Sequence, residues 1–192
     1  MELMKLTSQG QPLEESFEKW AETVPQTLRN PLFHWTHLEL KRYFNIGEIL
    51  QPSSDKEIYK KANAILAVKT PIQLLEHMNV EVVCTTDDPT DDLQYHKVIS
   101  KQNFYSKVFP TFRPDSLLLI EKELFPECIT KLEDCVGFSV KNLESLKKAI
   151  QHRIDFFDEN GCRLSDYGME EIFTSDFTEK EADNIFKKRI RG

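Results

Sequence analysis

Three short runs of apolar and β-branched residues, at 80–85, 106–111 and 162–165, lie in the second part of this chain with helix-patterned stretches between them. Each run is too short for a helix and suits a strand buried on both faces. Helical spacing precedes the second and third runs, over 92–100 and 142–159. The longer stretch carries Leu143, Leu146, Ile150, Ile154 and Phe157 on one stripe and ends at Gly161. Strands separated by helices imply right-handed crossovers and a parallel sheet. A closed (β/α) barrel needs eight strands in about 250 residues, and residues 79–192 supply three. The expectation is an α/β chain: an all-helical region over 1–78, then three βα units of an incomplete TIM-type barrel over 79–192.

The helical region is marked by its punctuation. Leu13, Phe17, Trp20, Ala21 and Val24 share a helical stripe that Pro25 cuts off. Ser54 with Glu57 reads as a capping box for a helix over 55–68 with Ile58, Ala62, Ile65 and Leu66 on its apolar side. Thr70, Pro71 and Gln73 start another over 71–78. Farther on, Pro126 interrupts the helical stretch 117–135 and should divide it in two.

Each apolar run feeds into a polar cluster: Thr85-Thr86-Asp87-Asp88-Pro89, Thr111-Phe112-Arg113-Pro114-Asp115 and Ser165-Asp166-Tyr167. In parallel α/β folds, sites lie at the C-terminal ends of strands. With six glycines in 192 residues, and neither G-x-G-x-x-G nor G-x-x-x-x-G-K-[ST], nucleotide cofactors lack support and a barrel is favoured over a dinucleotide fold. A net charge of −7 and a pI near 5.3 disfavour nucleic acid. The only concentrated basic cluster, Lys187, Lys188, Arg189 and Arg191, is too short for a binding groove. No stretch has the length and apolarity of a membrane span, and the first residues lack a secretory pattern, so a cytoplasmic location is expected. Cys84, Cys128, Cys135 and Cys162 are scattered without a C-x-x-C pair and read as reduced, mostly buried thiols.

Among the polar residues, Arg113 offers a planar fork for a carboxylate, or an ion pair with Asp115. Asp87 and Asp88 have the chemistry of bases or metal ligands, although Asp-Asp-Pro is also ordinary turn chemistry and that reading comes first. Asp166 occupies a comparable place. His34 and His37 are spaced i, i+3, which superficially suggests zinc, but without a third ligand packing and helix-start bonding are favoured. His77, His96 and His152 read as surface or core-edge residues. The 13 phenylalanines read as core.

Four segments carry a more specific signal: Asn30-Pro31-Leu32-Phe33-His34-Trp35-Thr36-His37-Leu38-Glu39-Leu40-Lys41-Arg42, Thr85-Thr86-Asp87-Asp88-Pro89, Pro110-Thr111-Phe112-Arg113-Pro114-Asp115 and Asn160-Gly161-Cys162-Arg163-Leu164-Ser165-Asp166. In sequence and order they resemble the uronate isomerase family of the amidohydrolase superfamily, from about Phe17 onward. The resemblance implies a distorted (β/α) barrel with a helical insertion. It also implies aldose–ketose interconversion of D-glucuronate with D-fructuronate, and of D-galacturonate with D-tagaturonate. It places Arg113 in contact with the bound uronate and leaves metal ligands and the acid/base aspartate on strands outside an internal segment. A divalent metal, zinc by expectation, would belong to the longer enzyme and not to this chain. Where the family has Ser-Asp-His, this sequence has Tyr167, whose hydroxyl cannot take up a proton near neutrality. Lacking the metal ligands and the acid/base aspartate, the isolated chain is expected to be inactive. The alternative is a non-catalytic α/β interaction module that self-associates through exposed sheet edges.

Overall fold

A computed structural model describes residues 13–168 and 174–190, and the chain divides into two compact units, Met1–Val80 and Glu81–Gly192. The basic-cluster member Arg191 lies outside the described residues.

The first unit consists, among its described residues, of helices: α1 (Leu13–Thr23), a short 3-10 turn (Val24–Thr27), α2 (Pro31–Phe44), α3 (Asp55–Leu66) and α4 (Pro71–His77). Its core gathers Ala21, Val24, Leu40, Ile46, Leu50, Ile58 and Ala62, with Phe17, Trp20, Phe33 and Phe44 against them. Asn30 caps α2 by accepting from the Leu32 amide, with Pro31 in the first turn, and Asn45 ends it in the left-handed region at φ 54°. Thr70 and Gln73 form the expected reciprocal box at the start of α4. The box expected from Ser54 and Glu57 is absent. Helix α3 starts at Asp55 as the pattern predicts, but the Ser54 hydroxyl turns back to donate to the Ile49 carbonyl (2.6 Å) and accept from the Gln51 amide (3.1 Å). A tight turn before the helix thus captures the capping hydroxyl.

In the second unit, β1 (Val82–Cys84) pairs in parallel with β2 (Lys107–Phe109), in the register Val82 with Lys107, Val83 with Val108 and Cys84 with Phe109. Helix α5 (Gln94–Ile99) lies on the crossover between them. The parallel arrangement is as read from the alternation of runs and helices, but the third run is not a strand. It contributes a single parallel bridge between Phe112 and Ser165, following another between Asp87 and Phe112. Pro110 accounts for part of this, since two residues before Phe112, whose N–H bonds Leu164, it has no N–H to offer the third run. The expected burial of β1 on both faces also fails. Val82 is 53% exposed, Cys84 is exposed, and in register beside them Lys107 and Phe109 are exposed as well. That face of the sheet has no covering layer among the described residues.

Helices α6 (Asp115–Leu118), α7 (Phe125–Val136), α8 (Leu143–Glu159) and α9 (Glu179–Ile190) complete the unit. Pro126 sits in the first turn of α7, so the stretch is divided just ahead of it. The main core contains Leu117, Phe125, Ile129, Leu132, Val140, Leu146, Ala149 and Phe186, the two rings meeting edge to face at 6.1 Å. A second cluster, Leu93, Phe112, Phe157 and Cys162, lies directly under the strand ends. The buried stripe of α8 runs Leu146, Ala149, Arg153, Phe157, whereas Ile154, expected inside, is 40% exposed. Asn142 and Ser145 form a reciprocal cap on α8, and Asp183 of α9 accepts from the Leu143 amide at 2.8 Å. Arg189, from the basic cluster, donates to the Ile120 and Lys122 carbonyls between α6 and α7. No described helix is long and apolar enough to cross a membrane. All four cysteines are free; only Cys162 is buried, and Cys84 is exposed, which corrects the expectation of mostly buried thiols.

Candidate functional site

The backbone beyond β1 and β2 brings together the residues singled out at the strand ends. Asp87 N donates to the Thr111 carbonyl (3.1 Å), Arg113 N donates to the Asp87 carbonyl (3.0 Å), and Asp166 N donates to the Phe112 carbonyl (3.2 Å). Beneath them the Phe112 ring meets Phe157 edge to face at 5.1 Å. Asp87, Arg113 and Asp166 are thereby set side by side by a backbone ladder standing on an aromatic floor.

Arg113 donates from Nε to Asp115 Oδ2 at 2.8 Å, with Asp166 Oδ1 3.8 Å away. Asp115 is held on its other oxygen by the Gly168 amide (3.1 Å). The Asp115 bond, and then the charges of Asp115 and Asp166, push the guanidinium pKa above its already high value. The ion pair with Asp115 that the sequence left open is therefore formed. It uses the Nε corner of the fork, and the Nη groups form no hydrogen bond to a described residue.

Asp87 is a half-buried carboxylate whose Oδ2 accepts from the Thr85 hydroxyl (2.6 Å) and the Thr111 amide (3.2 Å). His96 of α5 joins this group: its Nε2 lies 2.7 Å from the Thr85 hydroxyl and 3.8 Å from Asp87. The arrangement that satisfies all three places hydrogen on His96 Nε2, donating to Thr85, which donates to Asp87. Asp88 Oδ1 accepts from the amide and hydroxyl of Thr90 (2.9 and 2.7 Å), and its Oδ2 from the Ser116 hydroxyl (2.5 Å). Asp91 and Asp92 close similar short turns on Leu93 and Gln94. This is the geometry of turn formation.

Two participants escaped the sequence reading. His96 has no local signal, because the crossover alone brings it beside Thr85. Arg153 had one: it lies between Ala149 and Phe157 in helical register with both. The residue is 5% exposed, and its guanidinium donates from Nε to the Pro89 carbonyl (2.6 Å) and from Nη2 to the Asp91 carbonyl (2.8 Å). It also stacks over the Phe156 ring at 4.1 Å.

The histidine pair in the first unit is not brought to a common ligand. His37 is used on both ring nitrogens, Nε2 accepting from the Leu50 amide (2.9 Å) and Nδ1 donating to the Phe33 carbonyl (2.6 Å), while His34 is exposed. Tyr167, 51% exposed, follows the Asp166 bridge region. Among the described residues no three histidine, cysteine, aspartate or glutamate side chains converge as a ligand set, so those residues do not by themselves fit a divalent metal.

A parallel α/β unit with a charged cluster at its strand ends, preceded by a helical unit, defines a class of fold shared with solved enzymes. The structure of uronate isomerase from Thermotoga maritima superposes with a TM-score of 0.87 at 29% identity, over 100% of this chain and 44% of that one. Glucuronate isomerase from Caulobacter crescentus gives 0.84 at 25% identity, over 95% and 39%. The family model for glucuronate isomerase matches residues 3–192, and the chain belongs to that family. A uronate isomerase from Halalkalibacterium halodurans is 44% identical over 184 residues, and one from Bacteroides thetaiotaomicron 46% identical over 181. The chain spans about two fifths of the length of these relatives, 39% of each.

Proposed function

We propose that this chain is the carboxylate-reading segment of an enzyme that interconverts D-glucuronate with D-fructuronate and D-galacturonate with D-tagaturonate, its residues 79–192 being a partial segment of a (β/α) barrel. The observation that carries the reading is Arg113 just beyond β2, oriented by Asp115 and with no hydrogen bond from its Nη groups to a described residue, in a member of the glucuronate isomerase family. A guanidinium fork matches a sugar-acid carboxylate bidentately. Anchoring that carboxylate fixes the far end of the open-chain sugar, which sets where its C1 and C2 lie along the strand ends.

Aldose–ketose isomerisation also requires a base that carries a proton between neighbouring carbons, and stabilisation of the enediolate oxygens. Asp87 and Asp88 are poor candidates, since their acceptor oxygens already serve Thr85, Thr111, Thr90 and Ser116. On this reading the base and the zinc belong to the remaining length of the enzyme, and the chain alone binds uronate without turning it over. The test is conversion of glucuronate to fructuronate by the purified, folded chain, with and without zinc. No turnover is expected. Turnover above a zinc-only blank would move the catalytic role to Asp87, Asp88 or Asp166 and overturn this division of labour.

A second reading, a self-associating non-catalytic module, is favoured by the bare face around Val82 and Phe109.

A further inference from the structure

We propose that Arg153 is a positioning residue for Arg113: from α8 it fixes the backbone of residues 89–91 and, through Asp88 and Ser116, the turn of α6 whose Asp115 orients the Arg113 fork. The inference rests on the reading of Arg113 as the sugar-acid contact.

Its first support is an arginine in an unusual place. Burying a guanidinium costs several kcal/mol unless its donors and charge are compensated. Among the described residues Arg153 forms no ion pair with a carboxylate; its bonds go to the main chain of one loop. Carbonyl dipoles and the Phe156 ring compensate the charge. An apolar side chain would fill this place in the α8 stripe without that cost. It would leave the loop unheld.

The second support is continuity. Pro89, Thr90 and Asp91 turn three consecutive carbonyls toward α7 and α8, where Arg153 takes the outer two and the Cys135 thiol donates to the middle one at 3.4 Å. With its backbone held on that side, the loop presents Asp88 to Ser116, the residue next to Asp115. A separate route runs through Asp87, whose carbonyl accepts from the Arg113 amide. Arg113 is thus held by its own backbone and by its side-chain partner, and both attachments lie on Asp87 and Asp88, immediately before the residues that Arg153 clamps.

The experiment is nitrogen-detected exchange of the Arg113 Nε–H on the whole chain, comparing wild type with Arg153→Met and Ser116→Ala. Replacing Arg153 should speed Arg113 Nε–H exchange by about tenfold while the amides of Ile129, Leu132 and Ala149 keep their protection. Unchanged Arg113 exchange with the core intact would overturn the proposal. If Arg153→Met also exposes the core amides, Ser116→Ala decides, since it removes one hydroxyl between Asp88 and the Asp115 turn: faster Arg113 exchange supports the proposal, and no change overturns it. A parallel titration with glucuronate separates the two readings. Coupling of Arg113 to Arg153 without glucuronate binding by wild type would remove the sugar-acid reading and keep the positioning role. Glucuronate binding with no such coupling would do the reverse.

Discussion

At the scale of single residues, the chemistry of this chain is concentrated in guanidinium groups put to opposite uses. Arg113 stands partly in solvent on Asp115, and Arg153 is buried with its donors on carbonyls. Replacing Arg113 by lysine keeps the charge but loses the planar fork, and should weaken glucuronate binding by about tenfold. Calorimetric titration checks this, with glucose as the uncharged control. The α8 stripe gives a sharper contrast. Phe157→Ala removes a ring 1% exposed and packed on Phe112, and should destabilise the chain by about 3–5 kcal/mol. Ile154→Ala, on the exposed side of the same helix, should stay within about 0.5 kcal/mol. Urea unfolding of the two variants distinguishes this stripe from the one the sequence predicts.

At the scale of elements, caps and docking bonds carry the argument. Asn142→Ala removes the side chain that accepts from the Ser145 amide and should cost about 1 kcal/mol, read as a lower unfolding midpoint. Helix α9 docks on α8 through Asp183, whose carboxyl is held below its ordinary value of 3.8 by the Lys187 ammonium and the Leu143 amide. A carboxylate with a depressed folded-state pKa stabilises the protein above the unfolded value, and that contribution is lost as the pH falls through the folded one. Acidification below 3.8 should therefore lower the melting temperature, and Asp183→Asn should remove part of that acid dependence. Thermal melts across the acid range check both.

The elements that were legible in the sequence are those with local causes. The Thr70 box and the parallel pairing of the first two runs follow from residues within one turn or one crossover. The same holds for the stop at Gly161, where φ is +91°. What was illegible depends on remote partners. Residues 162–165 read as a strand by composition, yet have only Phe112 to pair with. Ser54 read as a cap, yet its hydroxyl bonds Ile49. Of the site, Arg113, Asp87, Asp88 and Asp166 could be placed at strand ends. Whether Arg113 would meet Asp115 could not be decided, and His96, read as a surface or core-edge histidine, could not be placed beside Thr85.

At the scale of the whole molecule, one feature sets behaviour in solution. The sheet face bearing Val82, Cys84, Lys107 and Phe109 is exposed, and uncovered sheet is a template for association. Sedimentation should show concentration-dependent self-association, reduced by Val82→Lys; a strict monomer at all concentrations would count against the module reading.

The clamp of Arg153 on Pro89 spans 64 residues, so it also orders events in time. A ribosome adding about 5–20 residues per second releases Pro89 roughly 3–13 s before Arg153 follows. Through that interval Asp87, Asp88, Asp91 and Asp92 crowd one short segment with no cation from α8 nearby. The acidic loop must therefore wait, self-repelling and held by its own short turns alone, for a helix not yet made, and the part of the chain nearest the proposed uronate is among the later parts of its unit to be fixed during synthesis.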